Sequence, residues 1–384
     1  MINRVTVIVT LSLTMTSARA ADPPKWDQGL TAALDRAGSN RTELEKALAT
    51  APADQRTGMA FLIANMPDAD LRRLKADYLL TNTALAYRVR NEVKWGKTVP
   101  EDVFLNDVLP YANLDEPRDE WRAEFFELGL PLVKDCKTPT EAAMKLNSEL
   151  FTKLKVKYST RRRAANQGPK ETIASGLASC SGLSIVLADA CRAVGVPARL
   201  VGTPMWADKR GNHTWVEIWD NGWHFTGACE ADPKGLDRGW FVGDAARAKA
   251  DVPEHAIYAA SFKRTAIHFP LIWATENKTV PAENVTARYT KPAPAAANTV
   301  RLLVRVRDAD GIRVAVPVAV MPAGDKAVPL TGTARDEKAD TNDILGFDLP
   351  ARCEVVIRVG QVEKAVTTDA AGRQQIVDIS LPRK

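Results

Sequence analysis

The sequence predicts an α+β chain in three parts: a helical N-terminal region, a mixed core of helices and short strands, and a small all-β sandwich. Three observations carry this. Leu71, Leu74, Tyr78, Leu79, Ala84 and Val89 recur at helical intervals between Asp70 and Trp95. An apolar segment opened by Cys180 is followed by three short β-rich runs, with Asp220-Asn221-Gly222 between the last two, and Asn-Gly after a β-rich run is a strong hairpin signal. Beyond a Pro/Ala stretch, Val300, Leu302, Val304 and Val306 alternate as the buried face of a strand does.

Residues 1–20 carry Arg4, an apolar run from Val5 to Met15, and Ala18-Arg19-Ala20. This is the pattern of a secretory signal peptide cleaved after Ala20. The run is far shorter than the ~20 residues needed to cross a bilayer, so a periplasmic or secreted chain without membrane insertion is expected. Loss of Arg4 and Arg19 from the 52 basic residues leaves 50 against 47 acidic ones, a formal charge of +3. Such a balance makes no case for a nucleic-acid partner. The one basic cluster, Arg161-Arg162-Arg163, reads as a solvated loop.

Residues 21–137 read as helical, with Asn40 as a cap before Glu43 to Leu48, and with Phe104, Tyr111, Trp121, Phe125 and Phe126 either walling a substrate groove or, the preferred reading, packing on the domain that follows. Residues 138–280 form the mixed core. A helix from Thr138 to Val156 leads through a polar loop to Gly176 and Cys180. Leu183, Ile185, Val186, Leu187, Ala190 and Val194 then make a helix apolar nearly all round, the mark of a central buried helix, and Gly195 stops it. Strands are expected over Pro197–Val201, His213–Trp219 and Trp223–Thr226. Residues 281–298 read as a Pro/Ala linker, and 299–384 as a sandwich of immunoglobulin or prealbumin type, with strands near 314–321, 343–349, 354–359 and 375–381.

Five cysteines are an odd number for an exported chain, so at least one thiol should stand unpaired. The cysteines show no paired C-x-x-C pattern, and the four histidines are not at ligand spacing, so neither a structural zinc nor any other cofactor is expected. Cys191 and Cys229 read as buried or disulfide-bonded, and His224, His255 and His268 as surface or packing residues. Cys180 is different, because it opens a helix. A helix N-terminus together with a neighbouring imidazolium lowers a thiol pKa from ~8.5 to ~3.5–7.5. Period two along the second strand puts His213, Trp215 and Glu217 on one face, where His213 can carry a proton to a leaving group. A carboxylate normally orients such an imidazole, and Glu230 and Asp232, just past the third strand, are the candidates. Glu217 is expected to support the fold by accepting a hydrogen bond, and Trp206 either lines the acyl groove or caps the core. The Cys180 backbone N–H is the first oxyanion donor. Gln167 is too far upstream to be assigned as the second.

The entry Gly-x-x-Ser-Cys-Ser-Gly (Gly176 to Gly182), the segment Arg192 to Arg199, the His-x-Trp-x-Glu of His213 to Glu217, and Gly222-Trp223 together resemble the transglutaminase-like superfamily over about Thr138 to Asp244. The resemblance implies a papain-like core with a Cys-His-Asp triad. The family places its aspartate four residues after the Gly-Trp tryptophan, where this chain has Gly227; Asp232-Pro233 comes five residues late and Glu230 lies closer. The expected function is that of an exported thiol enzyme forming an acyl-enzyme at Cys180 from a peptide, protein or other amide-bearing substrate, with water a better candidate acceptor than an amine. The alternative is an inactive transglutaminase-like domain that binds peptide or glycan.

Overall fold

A computed structural model describes residues 28–290, 298–322, 328–372 and 374–383. The expected signal peptide and the Pro292–Ala297 part of the linker lie outside these residues.

Helices Gln28–Arg36, Arg41–Thr50, Arg56–Asn65 and Ala76–Glu92 close around Leu34, Leu44, Leu48, Met59, Leu62 and Leu79. Asn40 stands just before its helix but does not cap it. Its buried amide donates instead to the carbonyls of Leu71 and Leu74, at 2.9 and 2.8 Å, tying this helix to the next turn of chain. The aromatic stretch divides: Phe104 and Tyr111 stay in the N-terminal helical core, and only its later part packs on the following domain. Trp121, Phe125 and Phe126 enter the core around the Cys180 helix, and Arg122 donates to the Arg192 carbonyl at 3.2 Å. Helix Arg122–Val133 therefore belongs to the central core by packing, across the boundary expected at residue 137.

Helix Cys180–Ala193 is the axis of that core, and every residue from Ser181 to Ala193 is buried. One side meets helices Arg122–Val133 and Pro139–Leu154; the other meets the sheet through Val216 and Ile218. Gly195 takes φ +74°, the left-handed conformation that ends a helix at little cost for glycine. The sheet is antiparallel, in the order Trp223–Thr226, His213–Trp219, Ala198–Thr203, Tyr258–Ala260, Pro281–Asn284, Ile267–His268. Three of these strands fall where the sequence put them. Pro281–Asn284 does not: this segment, expected in the linker, pairs with Tyr258–Ala260 and is followed by a short helix to Tyr289. No helix among the described residues is long and apolar enough to cross a membrane.

The C-terminal part is a sandwich of two sheets. One is Leu330–Thr333, Pro317–Pro322, Glu354–Val359, Val362–Thr367; the other is Leu345–Pro350, Thr299–Arg307, Gln374–Ser380, with the last pair parallel. Leu302, Val304 and Val306 face Val318, Val320, Val355 and Ile357 across its core.

Leu187 is fully buried in the central helix. Leu187→Ala should cost about 2–5 kcal/mol, read as a lower urea midpoint with an unchanged slope.

Candidate active site

Ser179 caps the central helix: its Oγ accepts from the Gly182 N–H at 3.0 Å and donates to the Ala165 carbonyl. Cys180 thereby occupies the first turn, where backbone N–H groups lack intrahelical acceptors and the helix dipole is positive. A two-residue parallel ladder pairs Tyr158 with Ala178, and the Ser159 N–H bonds the Ala178 carbonyl at 2.8 Å, so Tyr158 stands beside the start of the Cys180 helix. The Cys180 side chain is only partly covered.

His213 begins its strand at the end that meets Cys180. Its ring is 2% exposed and boxed by aromatic rings, with centroids at 4.6 Å from Trp240, 5.0 Å from Phe241, 5.8 Å from Trp215 and 6.2 Å from Trp206. Such a box would drive the imidazole neutral unless an anion faced it. That anion is Asp340, whose Oδ2 lies 3.6 Å from His213 Nδ1. At this length the contact is an ion pair rather than a close hydrogen bond, as is common for catalytic pairs before substrate arrives. A ring nitrogen of His213, the Cys180 sulfur and an Asp340 oxygen all lie within 4.8 Å of one another. Burial works to lower the His213 pKa, but Asp340 and Cys180 outweigh it and hold it at about 10. Burial likewise works to raise Asp340, yet the His213 cation, the Asn342 N–H and Arg313 leave it below the usual carboxylate value.

Asp340 comes from the C-terminal sandwich, in the turn between Leu330–Thr333 and Leu345–Pro350. It takes the place beside the imidazole that the sequence reading gave to Glu230 or Asp232. Neither of those carboxylates meets His213. Glu230 is half-buried nearby, but its Oε2 accepts from Trp240 Nε1 at 3.0 Å. Burial, only partly offset by the His213 charge, raises its pKa to about 7. Asp232 is partly exposed, bound to Arg238 Nε at 3.0 Å and to the Lys234 N–H at 2.8 Å. After Thr226 the chain turns through Cys229 at φ +66°. Trp240, not a carboxylate, ends up against the imidazole.

Glu217 performs the supporting role expected of it. Its Oε2 accepts from Arg199 Nε and Nη2 at 2.9 and 2.8 Å and from Arg288 at 3.0 Å, while Oε1 accepts from the Tyr289 hydroxyl at 2.8 Å. The same hydroxyl accepts from Trp215 Nε1 at 2.9 Å, fixing one wall of the histidine box. Trp206 is buried and stacks on Trp215 with 7° between planes, so it belongs to that box. Gln167 Nε2 faces Leu177 O and Ser175 Oγ, both at 3.4 Å. All five cysteines are free; burial pushes Cys191 up to about 12 and Cys229 up to about 11. His224 pairs with Asp237 at 2.7 Å, His255 Nδ1 meets the Met205 carbonyl at 3.1 Å, and His268 is exposed on the edge strand Ile267–His268. Among the described residues, Cys180, His213 and Asp340 are also spaced closely enough to share a cation. A thiophilic metal held there would occlude the nucleophile.

Two pH dependences follow. Glu230 titrates at about 7 when folded and near ~4.3 when unfolded, so the folded state loses stability as pH rises from ~4 to ~7. Glu230→Gln keeps an acceptor for Trp240 and should stabilise the fold above pH 7 by up to about 3–4 kcal/mol, read as a higher melting point there, with no gain near pH 4. His213 titrates at about 10 when folded, against ~6.5 unfolded. Its contribution is full below ~6.5 and disappears as pH rises through 10. His213→Gln should flatten that alkaline decline in a melting series.

Residues 127–244 match the family model of the transglutaminase-like superfamily. No protein of curated function matches the chain. Among solved structures, a candidate cysteine protease from Cytophaga hutchinsonii is 17% identical over 42% of this chain and 58% of its own length, with a TM-score of 0.26. The transglutaminase of red sea bream is 8% identical over 72% of this chain and 65% of its own, with a TM-score of 0.31. The chain thus spans less than two thirds of either protein. The matched segment, which holds the Cys180 helix and the His213 strand, is thus what this chain has in common with the transglutaminase-like superfamily.

Proposed function

We propose that this chain is an exported thiol enzyme that opens amide bonds through an acyl-enzyme at Cys180. The observation that carries the reading is the convergence of sulfur, imidazole and carboxylate within 4.8 Å at a helix N-terminus. In the first half-reaction the Cys180 thiolate attacks the amide carbon, forming C–S as the C–N bond breaks. The His213 imidazolium gives its proton to the departing amine. Oxygen charge in the intermediate develops beside the first-turn N–H groups of the helix. In the second, water attacks the thioester, His213 takes the water's proton, and the C–S bond breaks to release a carboxylic acid and restore the thiolate. Asp340 orients the ring throughout and stabilises the imidazolium whenever it forms, without itself taking the proton.

Water is proposed as acceptor, and a peptide or protein amide as donor. A cleft of about 550 Å³ opens beside Trp240 between Glu230, Asp232, Arg238 and Val242 on one side and Arg335 of the sandwich on the other. The alternative of an inactive binding domain was motivated by the displaced carboxylate. Asp340 beside His213 favours the active reading over that alternative.

Cys180→Ala and His213→Ala should abolish turnover of amide substrates in a peptide-library screen, and Asp340→Asn should reduce it by ~10²-fold or more. Asp232→Asn should remain near wild type. Full activity in Cys180→Ala would eliminate the mechanism; a silent Asp340→Asn beside a crippled Asp232→Asn would return the third role to the sequence-adjacent residue.

A further inference from the structure

Three consecutive residues of the sandwich address three separate parts of the site. Asp340 faces His213 at 3.6 Å. Thr341 meets Tyr158, beside the start of the Cys180 helix, by a hydroxyl contact of 2.9 Å and a backbone N–H bond of 3.2 Å. Asn342 Nδ2 donates to the carbonyl of Asn212, the residue before His213, at 2.8 Å. The approach of Asn342 needs Gly211, where an added Cβ would come within 2.8 Å of the Asn342 amide oxygen, on a backbone at φ +144°. A further bond at the domain boundary runs from Gln374 Nε2 to Asp244 Oδ1 at 2.8 Å.

The turn that makes these contacts has little regular structure of its own; it is held from below by one side chain. Arg313 is 6% exposed. Its Nη1 donates to the carbonyls of Asp340, Thr341 and Asp343 at 3.1, 3.3 and 3.3 Å, and its Nη2 to those of Asp336 and Ala339 at 2.7 and 2.6 Å. Five carbonyls of one turn thus converge on one guanidinium, a fork geometry that a lysine ammonium cannot reproduce. Asp340 closes the turn from inside by accepting the Asn342 N–H at 2.8 Å.

We infer that Arg313 is a positioning residue for the chemistry at Cys180, acting through the turn it organises, and that the C-terminal sandwich is a working part of the active site rather than an appended module. The inference rests on the proposed Cys-His-Asp reading and extends it. Arg313 touches neither sulfur nor imidazole. Its effect passes through the placement of Asp340.

The test uses the full chain and the rate of Cys180 alkylation by iodoacetamide between pH 5 and 10, resolved by mass spectrometry, in wild type, Arg313→Lys, Asp340→Asn and the double variant. Arg313→Lys should slow alkylation at neutral pH by about tenfold and move the pH profile toward that of Asp340→Asn. The double variant should react no more slowly than Asp340→Asn alone, because both act on one step. Limited proteolysis resolved by mass spectrometry reports whether the sandwich stays folded. If Arg313→Lys does not fold, Asn342→Ala, which removes only a docking contact, is expected to shift the profile in the same direction and decides the matter. A folded Arg313→Lys with the wild-type profile, or rate losses that multiply in the double variant, overturns the positioning role while leaving the thiol mechanism standing. A wild-type Cys180 that does not alkylate, or an Asp340→Asn profile equal to wild type, overturns both.

Discussion

The structure depends on one buried ion pair, His213 with Asp340, formed between two domains. Each partner is almost wholly removed from water. Alone, either would shed its charge, since burying an unpaired ion costs several kcal/mol or more. Together they hold opposite charges at neutral pH, the imidazole above its ordinary value and the carboxylate below it. The aromatic box sharpens this dependence. Four rings exclude water from the imidazole, so its field is weakly screened and its charge is available to a neighbouring sulfur.

Glu230 shows the same electrostatics from the other side. It is a second carboxyl in the surroundings of His213, and the proximity of Asp340 and Asp343 adds to burial in disfavouring its anion. Two acids close to one cation have therefore been pushed apart, with Asp340 ionised and Glu230 titrating near neutrality. Such separation distinguishes roles in acid–base sites. The acid facing the imidazole remains the anion, while the one under Trp240 shares its oxygen with an indole N–H.

Much of this was legible in the sequence, and the limits have physical causes. The helix at Cys180, its end at Gly195, and the His213 and Trp223 strands with their hairpin could be read because each is set by local periodicity and turn chemistry. Glu217 was legible as a support because alternation placed it on the His213 face. Asp340 was not, since its role arises from tertiary docking of a domain beyond the linker. Locally, Ala339-Asp340-Thr341-Asn342-Asp343 reads only as a turn. Arg313 was hidden for the same reason: one arginine near a strand gives no sign that five carbonyls will converge on it. Asn40 failed in a different way, its side chain being drawn from the cap to two buried carbonyls.

A site divided between tethered domains has an energetic consequence. Sandwich and core are parts of one chain, so their docking is intramolecular, with an effective concentration of order mM. For the carboxylate to be in place in 99% of molecules, the docking surfaces alone need an affinity about a hundredfold tighter, of order 10 μM, or about 7 kcal/mol. A few polar contacts such as those of Tyr158, Asn212 and Gln374 contribute ~0.5–1.5 kcal/mol each and fall short of that. Separating the buried pair would leave an uncompensated charge, at a cost of about 3–5 kcal/mol, so the interaction that orients His213 also helps to hold the domain that carries Asp340. Weakening the pair should then loosen the dock, and weakening the dock should uncharge the histidine. Assembly of the site and attachment of the sandwich are one equilibrium, and Arg313 acts on it by fixing the turn in the shape that docks.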